Sequence, residues 1–486
     1  MECRRGIQSC PCNTPVLRSQ SGDHVLTLSR GFAVRAVTFL LLHIPMAYAF
    51  SRWHWPGTVH AVGVLLGGLT FAIKRDSARV LYVLGYIAGS EVLWRMTQSS
   101  PLWEFGKYAS VLLAGVALLA ERRPQTPMWR RRNDRACHSV PPLAHERRKI
   151  AAIPLLYILL LLPSVILSLA QPNRTTAWKD ISYNFSGPLA LAVLSVYLWR
   201  LPVNRRELVR FLLSIMGPVV GIAFLAFHST MTSAVAFTEY SNYVTSGGFA
   251  PNQVSNVLGC GALVGVMLVA VMRNARPVRV TVIVLTVGLI AQELLTFSRG
   301  GVFSFLLAAG VFGLFLVGEI RARRRVVVFA TVWTLTAVAL LASLDSYTHG
   351  AFKSRFLDLH ISGRDRVAQG DIQAFREHPL LGTGIGLSRP YHAYFYGRPV
   401  VAHTEPTRML AEHGAFGLMA LLVLLYMLVC GYRQAFPRTG RGLTAGFAVW
   451  ALSSMLHSAM RVVAVSLALG LIQISWTLDP AEDDET

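Results

Sequence analysis

The sequence predicts an all-α, polytopic membrane protein with about 12 to 14 transmembrane helices and one long external segment that carries short helices. Of its 486 residues, 53% are hydrophobic and 15% are charged, whereas soluble domains contain about 25% charged residues. Lys and Arg (46) far exceed Asp and Glu (25). A disordered chain is excluded because it would need low hydrophobicity. A nucleic-acid-binding protein is disfavoured because its basic residues would lie on a soluble surface.

Long apolar runs recur along the chain and define the candidate spans, because a helix needs roughly 20 apolar residues to cross the hydrocarbon core. The runs lie near 32–50, 57–73, 78–95, 104–120, 150–170, 185–200, 208–227, 252–272, 278–296, 301–319, 326–344, 413–431, 443–459 and 461–477. The runs 57–73, 78–95 and 185–200 are the shortest or most polar. Residues 1–30 lack an apolar core, so we expect a disordered tail rather than a signal peptide.

The basic residues orient these spans, because cytoplasmic loops of membrane proteins are enriched in Lys and Arg. With residue 1 in the cytoplasm, the tail and the loops near 74–79, 121–149, 200–210, 273–279, 321–325 and 432–442 are cytoplasmic. Counted with Arg35, they hold 31 of the 46 basic residues, and eight of the remaining 15 lie in 345–408. One orientation therefore satisfies every short loop.

Spans and charges together divide the chain into seven predicted segments. They are a disordered cytoplasmic tail (1–30), N-terminal transmembrane helices (31–120), a basic cytoplasmic loop (121–149), central transmembrane helices (150–344), an external loop (345–408), C-terminal transmembrane helices (409–477) and an acidic cytoplasmic tail (478–486). The basic loop is best explained as a topology signal that touches anionic lipid. The six cysteines show no metal-ligand spacing beyond the pair Cys10 and Cys12, and we expect no structural disulfide.

The external segment 345–408 concentrates the polar chemistry of the chain. It contains Arg355, Arg364, Arg366, Arg376, Arg389, Arg398, Arg408, His360, His378, His392, His403 and Glu405. A basic cap at the outer membrane surface would attract an anionic substrate. The alternative is a solvated cap without a ligand.

Two glycine-containing motifs flank this chemistry. Phe297-Ser-Arg299-Gly-Gly301 lies between two apolar runs. An ionisable residue between two membrane spans suggests a functional role for Arg299. The alternative is an arginine whose side chain extends to the lipid headgroups. Gly382-Thr-Gly384-Ile-Gly386 resembles a dinucleotide fingerprint but follows a helix and a proline, and it lacks the acidic partner. We expect a turn that brings loop groups close to a ligand.

His403 is the candidate general base. It precedes the span that follows the external segment, where a neutral imidazole can take a proton from a hydroxyl. The alternative is a histidine that is hydrogen-bonded at the start of a helix. Glu405, two residues on, is the second candidate. No set of ligands has metal spacing, so neither a metal nor another cofactor is predicted.

Four motifs in this order resemble those of the O-antigen ligase and polymerase superfamily, bacterial membrane glycosyltransferases that act on undecaprenyl-pyrophosphate-linked glycans. They are Ser298-Arg299-Gly300, Ser362-Gly-Arg364, His378-Pro-Leu-Leu-Gly382-x-Gly384-x-Gly386, and His403-Thr-Glu405 with Glu412-x-Gly414-x-x-Gly417. Tyr243-Val-Thr-Ser-Gly-Gly-Phe-Ala-Pro-Asn252-Gln253, Glu91-Val-Leu-Trp-Arg95 and Trp103-Glu104-Phe-Gly-Lys107-Tyr108 are similar to segments of the polymerase-like members. The resemblance covers about residues 80–430.

The resemblance implies roles for individual residues. Arg299 and Arg364 would bind the lipid pyrophosphate, and Arg366 and Arg408 complete the predicted binding set. His403 would prepare the acceptor hydroxyl, although Thr404 replaces the family's asparagine. Ala368 stands where many members carry a tryptophan.

The resemblance also implies a location and partners. The enzyme would lie in the bacterial cytoplasmic (inner) membrane, with its active site facing the periplasm. Its partners would be the lipid bilayer, an undecaprenyl-pyrophosphate-linked glycan, an acceptor glycan or lipid A–core, and a chain-length regulator.

The sequence therefore predicts a metal-independent, inverting glycosyltransferase, either an O-antigen or exopolysaccharide polymerase or an O-antigen ligase, which differ in the acceptor. The alternative is a flippase or transporter of lipid-linked oligosaccharides, which would favour internal repeats and interrupted helices at the membrane midplane. A structural membrane subunit is the third possibility, and it leaves the arginines and His403 unexplained.

Overall fold

The computed structural model describes residues 30–122, 152–172, 174–238, 240–272, 276–317, 341–357 and 363–478. In chain order the helices with both ends in these ranges are α1 (Arg30–Arg52), α2 (His54–Ile73), α3 (Ser77–Met96), α4 (Phe105–Arg122), α5 (Ala152–Leu169), α6 (Arg174–Leu198), α7 (Arg205–Thr232), α8 (Pro251–Val271), α9 (Arg276–Leu295), α10 (Arg299–Val317), α11 (Ala351–Leu357), α12 (Arg364–Glu377), α13 (Arg389–Tyr396), α14 (Glu405–Gln434), α15 (Arg438–Met455) and α16 (Val463–Leu471).

The predicted fold class is confirmed: the protein is an all-α polytopic membrane protein. Within the described ranges, nine helices are long and apolar enough to span a bilayer, namely α1, α2, α5, α6, α7, α8, α9, α10 and α14. Helices α3, α4 and α15 have 18 to 20 residues and match three more predicted spans. Four predicted segments lie wholly or largely outside the described residues: the span 326–344, the basic loop and both tails. Four of the six cysteines also lie outside them, and the other two, Cys260 and Cys430, are free thiols.

The last predicted span, 461–477, is wrong as a single transmembrane helix. Helix α16 has only nine residues, which is about 14 Å at 1.5 Å per residue. The chain then continues as strand β2 (Ser475–Thr477), which pairs in parallel with β1 (Pro202–Asn204) between α6 and α7. The apolar composition of 461–477 reflects complete burial among other helices, because every residue of α16 is buried.

Glycines allow the central helices to approach closely. A Cβ on Gly261 of α8 would lie 2.5 Å from Val219 of α7, and a Cβ on Gly89 of α3 would meet the carbonyl oxygen of Ile215 in α7. Small residues serve this purpose in membrane bundles because lipid supplies no hydrophobic drive for helix association. Helices α3, α7 and α8 therefore form the centre of the bundle, and α8 and α10 carry site residues at their N-terminal ends.

The external segment contains α11, α12 and α13, as the predicted short helices require. The glycine-rich turn 382–386 packs on α14: the amide of Thr383 donates to the carbonyl of Ala411 at 2.9 Å, and the amide of Gly384 to that of Glu412 at 3.1 Å. Gly382 and Gly384 adopt positive φ values of +71° and +96°. The turn was expected to approach a ligand, but the close approach is to the backbone of α14.

Helix α14 begins at Glu405, eight residues before its predicted span, and it is interrupted at Gly414, whose φ is +60° and ψ is −138°. Its first turns are polar, so an apolar run could not reveal them. They are stabilised by ion pairs of Arg408 with Glu405 and Glu412, which are spaced for one helical face.

Candidate functional site

Two predicted arginines converge at the ends of α10 and α12. Arg299 and Arg364 are the first residues of these helices. Burial, followed by the nearby charge of Arg299, holds the pKa of the Arg364 guanidinium below its ordinary value. Because each helix N-terminus adds partial positive charge, this region is strongly electropositive.

Asn252 at the start of α8 connects the two arginine-bearing elements. Its side-chain oxygen accepts a hydrogen bond from Arg364 Nη2 at 3.2 Å and one from Ser298 Oγ at 2.9 Å. A neutral amide orients the guanidinium without cancelling its charge. Residue 252 belongs to the Asn-Gln pair of the polymerase-like segment, but no role was predicted for it.

The turn before Arg299 is tightly constrained. Phe297 is buried and has a positive φ of +57°, and its carbonyl oxygen accepts a hydrogen bond from Arg355 Nε at 3.1 Å. Gly300 and Gly301 follow, where a Cβ would meet the ring of His457 and the hydroxyl of Ser255. The two glycines therefore let the first turn of α10 pack deeply against its neighbours.

His403 lies half-buried just before α14. Burial, and then the charges of Arg364, Arg461 and His392, lower the pKa of the imidazole to about 4. The ring is therefore neutral near pH 7, as proton abstraction from a hydroxyl requires. Within the described ranges the imidazole has no hydrogen-bonding partner, which leaves it available to a ligand.

Arg461 is a site residue that the sequence prediction missed. Its guanidinium donates to the side-chain oxygen of Asn184 at 2.8 Å and to the carbonyl of Ala402 at 3.1 Å, and it stacks 4.1 Å from the ring centroid of Tyr183. It therefore fixes the backbone next to His403. An arginine between two apolar runs was the available signal, because such residues are usually functional in membrane proteins.

The other predicted residues lie apart from this group. Arg408 and Glu405 are each 1% exposed, and Arg408 forms ion pairs with both Glu405 and Glu412. Glu412 also accepts a hydrogen bond from the amide of Gly386 at 2.9 Å. Arg366 is exposed on the first turn of α12. The geometry thus brings together Arg299, Arg364 and His403, but not Arg366, Arg408 or Glu405.

The segments 91–95 and 103–108 form a buried charge cluster behind the site. Arg95 contacts Glu91 at 2.8 Å and Glu104 at 3.0 Å, and Lys107 contacts Glu104 at 2.6 Å. Arg95 also donates to the side chain of Gln253 at 3.1 Å and to the carbonyl of Arg461 at 2.9 Å. The cluster therefore supports the neighbours of both Asn252 and His403.

No group of three or more potential ligands with metal geometry occurs among His, Cys, Asp and Glu of the described ranges. The candidate site is instead built from guanidinium groups, a neutral imidazole and an amide. These groups suit an anionic oxygen ligand, since guanidinium binds phosphate oxygens in a bidentate manner.

Comparison with known proteins supports the family assignment. Residues 283–422 match a family model described as O-antigen ligase, and this stretch includes Arg299, Arg364 and His403, but not Asn252 or Arg461. No curated protein matches the chain. The resemblance to the O-antigen ligase superfamily is therefore confirmed over residues 283–422, within an all-α polytopic membrane protein.

Proposed function

We propose that the protein is a membrane glycosyltransferase that moves a glycan from undecaprenyl pyrophosphate to an acceptor hydroxyl at the external membrane face. The acceptor is lipid A–core in a ligase and another lipid-linked glycan in a polymerase. The match of residues 283–422 to the O-antigen ligase family supports this class of reaction. The electropositive site at the ends of α10 and α12 supports an anionic donor.

The observation that carries the proposal is the juxtaposition of Arg299 and Arg364. The charge of Arg299 acts on the guanidinium of Arg364, and the neutral amide of Asn252 leaves the charge of Arg364 in place. A pyrophosphate would offset these positive charges. Its negative charge increases as the glycosidic bond to it breaks, so the arginines stabilise the transition state more than the ground state.

His403 supplies the second half of the chemistry. The acceptor oxygen attacks the anomeric carbon as the bond to pyrophosphate breaks, and its proton passes to the neutral imidazole. Direct displacement of this kind inverts the anomeric centre. A pKa of about 4 in the free protein makes a weak base, but a bound pyrophosphate offsets the charge of Arg364 and raises that pKa. Donor binding therefore prepares the base.

Arg408 and Glu405 take a structural role in this proposal. Their charges are mutually satisfied in the interior, and breaking such a buried pair destabilises a protein by about 3–5 kcal/mol. Loss of activity on their substitution would therefore reflect loss of folded protein rather than loss of substrate contact.

The test is substitution of the two arginines in cells that lack the native gene. We expect Arg299→Ala and Arg364→Ala to abolish glycan transfer at normal protein levels, and the Lys variants to recover poorly because ammonium lacks the bidentate fork. Arg376→Ala, an exposed arginine at the other end of α12, is the matched control. Gel analysis of lipopolysaccharide and of lipid-linked glycan separates ligase from polymerase products. Full activity in both alanine variants would refute the pyrophosphate assignment.

A further inference from the structure

A buried carboxylate and a buried histidine lie beneath His403 in the external segment. Asp371 of α12 and His392 of α13 are both 0% exposed. Nε2 of His392 contacts Oδ1 of Asp371 at 2.7 Å, and Nδ1 contacts the carbonyl oxygen of Val400 at 2.7 Å. Neither residue has a role in the chemistry described above.

The hydrogen-bond pattern constrains the charges of this pair. The carbonyl of Val400 can only accept, so Nδ1 carries a proton. Asp371 accepts a second hydrogen bond at Oδ2 from the hydroxyl of Thr407 at 2.6 Å, as expected of an ionised carboxylate. When the ring is protonated, Nε2 also donates, and His392 and Asp371 then form a buried ion pair.

The pair is connected to residues on both sides of His403. Before it, His392 holds the carbonyl of Val400. After it, Thr404 is hydrogen-bonded to Thr407, and because the Thr407 hydroxyl donates to Asp371, Thr404 must be the donor. Arg461 holds the carbonyl of Ala402 between these points. The segment 400–404 is thus fixed at three positions.

Asp371 also lies on the helix that begins with Arg364, seven residues along α12. Seven residues are close to two helical turns, so the carboxylate is rigidly related to the arginine. Asp371 therefore links α12, which begins with Arg364, to both ends of the segment 400–404, which carries His403.

We propose that Asp371 and His392 are positioning residues, which set the placement of His403 relative to Arg364 and thereby to the donor. The inference rests on the proposed function. It also assigns a role to Thr404, which replaces the family's asparagine: its hydroxyl reaches Asp371 through Thr407. A displacement of about 1 Å at a reacting group costs on the order of 100-fold in rate.

The positioning is sensitive to pH because it depends on the charge of His392. The titratable groups near the ring are Asp371 from α12, Glu412 from α14 and the neutral His403. Burial lowers the pKa of His392, but the hydrogen bond and charge of Asp371, aided by Val400 and Glu412, outweigh it and raise the pKa overall. The positioning is therefore complete below about pH 6.5, the ordinary histidine value, and is lost as pH rises through the raised pKa.

The experiment compares purified wild-type, Asp371→Asn and Asp365→Asn proteins, the last being an exposed aspartate on the same helix. The donor is the lipid-linked glycan pool extracted from cells that lack the enzyme, and binding is measured with undecaprenyl pyrophosphate. We expect Asp371→Asn to lower kcat about 10- to 100-fold with nearly unchanged KM and lipid affinity, and to shift the alkaline limb of the pH profile to lower pH. Asp365→Asn should behave as wild type.

A double-variant cycle shows whether Asp371 acts through His403. If it does, adding Asp371→Asn to His403→Ala lowers the rate no further, because the positioned group is already missing. The inference is overturned if the rate losses of the two single variants multiply in the double variant. It is also overturned if the alkaline limb of the pH profile of Asp371→Asn is unshifted. If Asp371→Asn reduces the amount of folded protein, Thr407→Val, which removes only the hydroxyl link, carries the same comparison. An inactive wild-type protein would instead contradict the proposed function.

Discussion

At the scale of single residues, the candidate site is organised by neighbouring positive charges. Arg364 and Arg461 come from different parts of the chain, and burial, followed by their charges and that of His392, explains the acidic pKa of His403. A ligand anion changes this balance more than any neutral ligand could. In the proposed mechanism, donor binding and base strength are therefore coupled through electrostatics.

This coupling predicts different pH dependences for kcat and kcat/KM. Since kcat/KM reports the free enzyme and kcat the bound complex, the acid limb of kcat should lie at higher pH than the free-enzyme limb near pH 4. The sign follows from the added anion, which favours the imidazolium. Steady-state kinetics between pH 3 and 8 measure both limbs, and coincident limbs would contradict the coupling.

His403→Ala separates the base from a structural histidine. We expect turnover to fall about 10²- to 10⁴-fold, with unchanged affinity for undecaprenyl pyrophosphate, because the arginines hold the donor. His378→Ala, another histidine of the external segment, is the control. Activity should persist in EDTA, because the arginines are expected to neutralise the leaving group. Near-normal turnover in His403→Ala would exclude it as the base.

At the scale of elements, the external segment is attached to the membrane bundle by backbone contacts. The glycine-rich turn meets α14 where that helix is broken at Gly414, and a Cβ on Gly414 would lie 2.6 Å from the amide nitrogen of Gly382 and from the carbonyl oxygen of Leu380. The break and the turn are therefore one structural unit. It holds α12 and α13, which support the site, against the bundle.

Substitution of Gly382 tests this unit. Gly382→Ala places a Cβ against the backbone of Glu412 at a φ of +71°, whereas Gly397→Ala has a similar φ of +85° but meets nothing within 4 Å. In both variants the positive φ destabilises the folded protein by about 1–2 kcal/mol. Only Gly382→Ala adds a steric clash. We expect Gly382→Ala to unfold at a lower temperature than Gly397→Ala in detergent. Equal midpoints would show that the turn can move away from α14.

At the scale of the whole molecule, the β1–β2 pair brings together the chain segments that follow α6 and α16. Residues 202–204 follow α6, and residues 475–477 follow α16. Their pairing requires the two connections to lie on one side of the membrane. The basic loop near 200–210 predicts that this side is cytoplasmic.

Reporter fusions test this arrangement. A fusion after Gly350 should be external, whereas fusions after Arg206, Arg325 and Leu478 should be cytoplasmic, because basic loops remain inside. The Arg206 and Leu478 fusions form a matched pair, because the pairing of β1 with β2 requires both to lie on the same side of the membrane. Opposite locations for that pair would contradict the structure, and an internal Gly350 fusion would contradict the orientation.

The sequence alone determined the fold class, most of the spans and three residues of the candidate site. Apolar runs are informative by themselves because a lipid environment requires each spanning helix to satisfy its own backbone and present apolar side chains. The ion pairs of Arg408 with Glu405 and Glu412 were not predicted, although spacings of three and four residues place the three side chains on one helical face.

Which polar groups meet could be learned only from the packing of the helices. Asn252 contacts Arg364 across 112 residues, and Arg461 reaches Ala402 across 59 residues. The interruption after α16 was hidden as well, because complete burial in protein selects the same apolar residues as lipid does. Hydrophobicity is a property of each residue, whereas a contact between distant residues depends on which helix faces pack, and the chain acquires those faces only on folding.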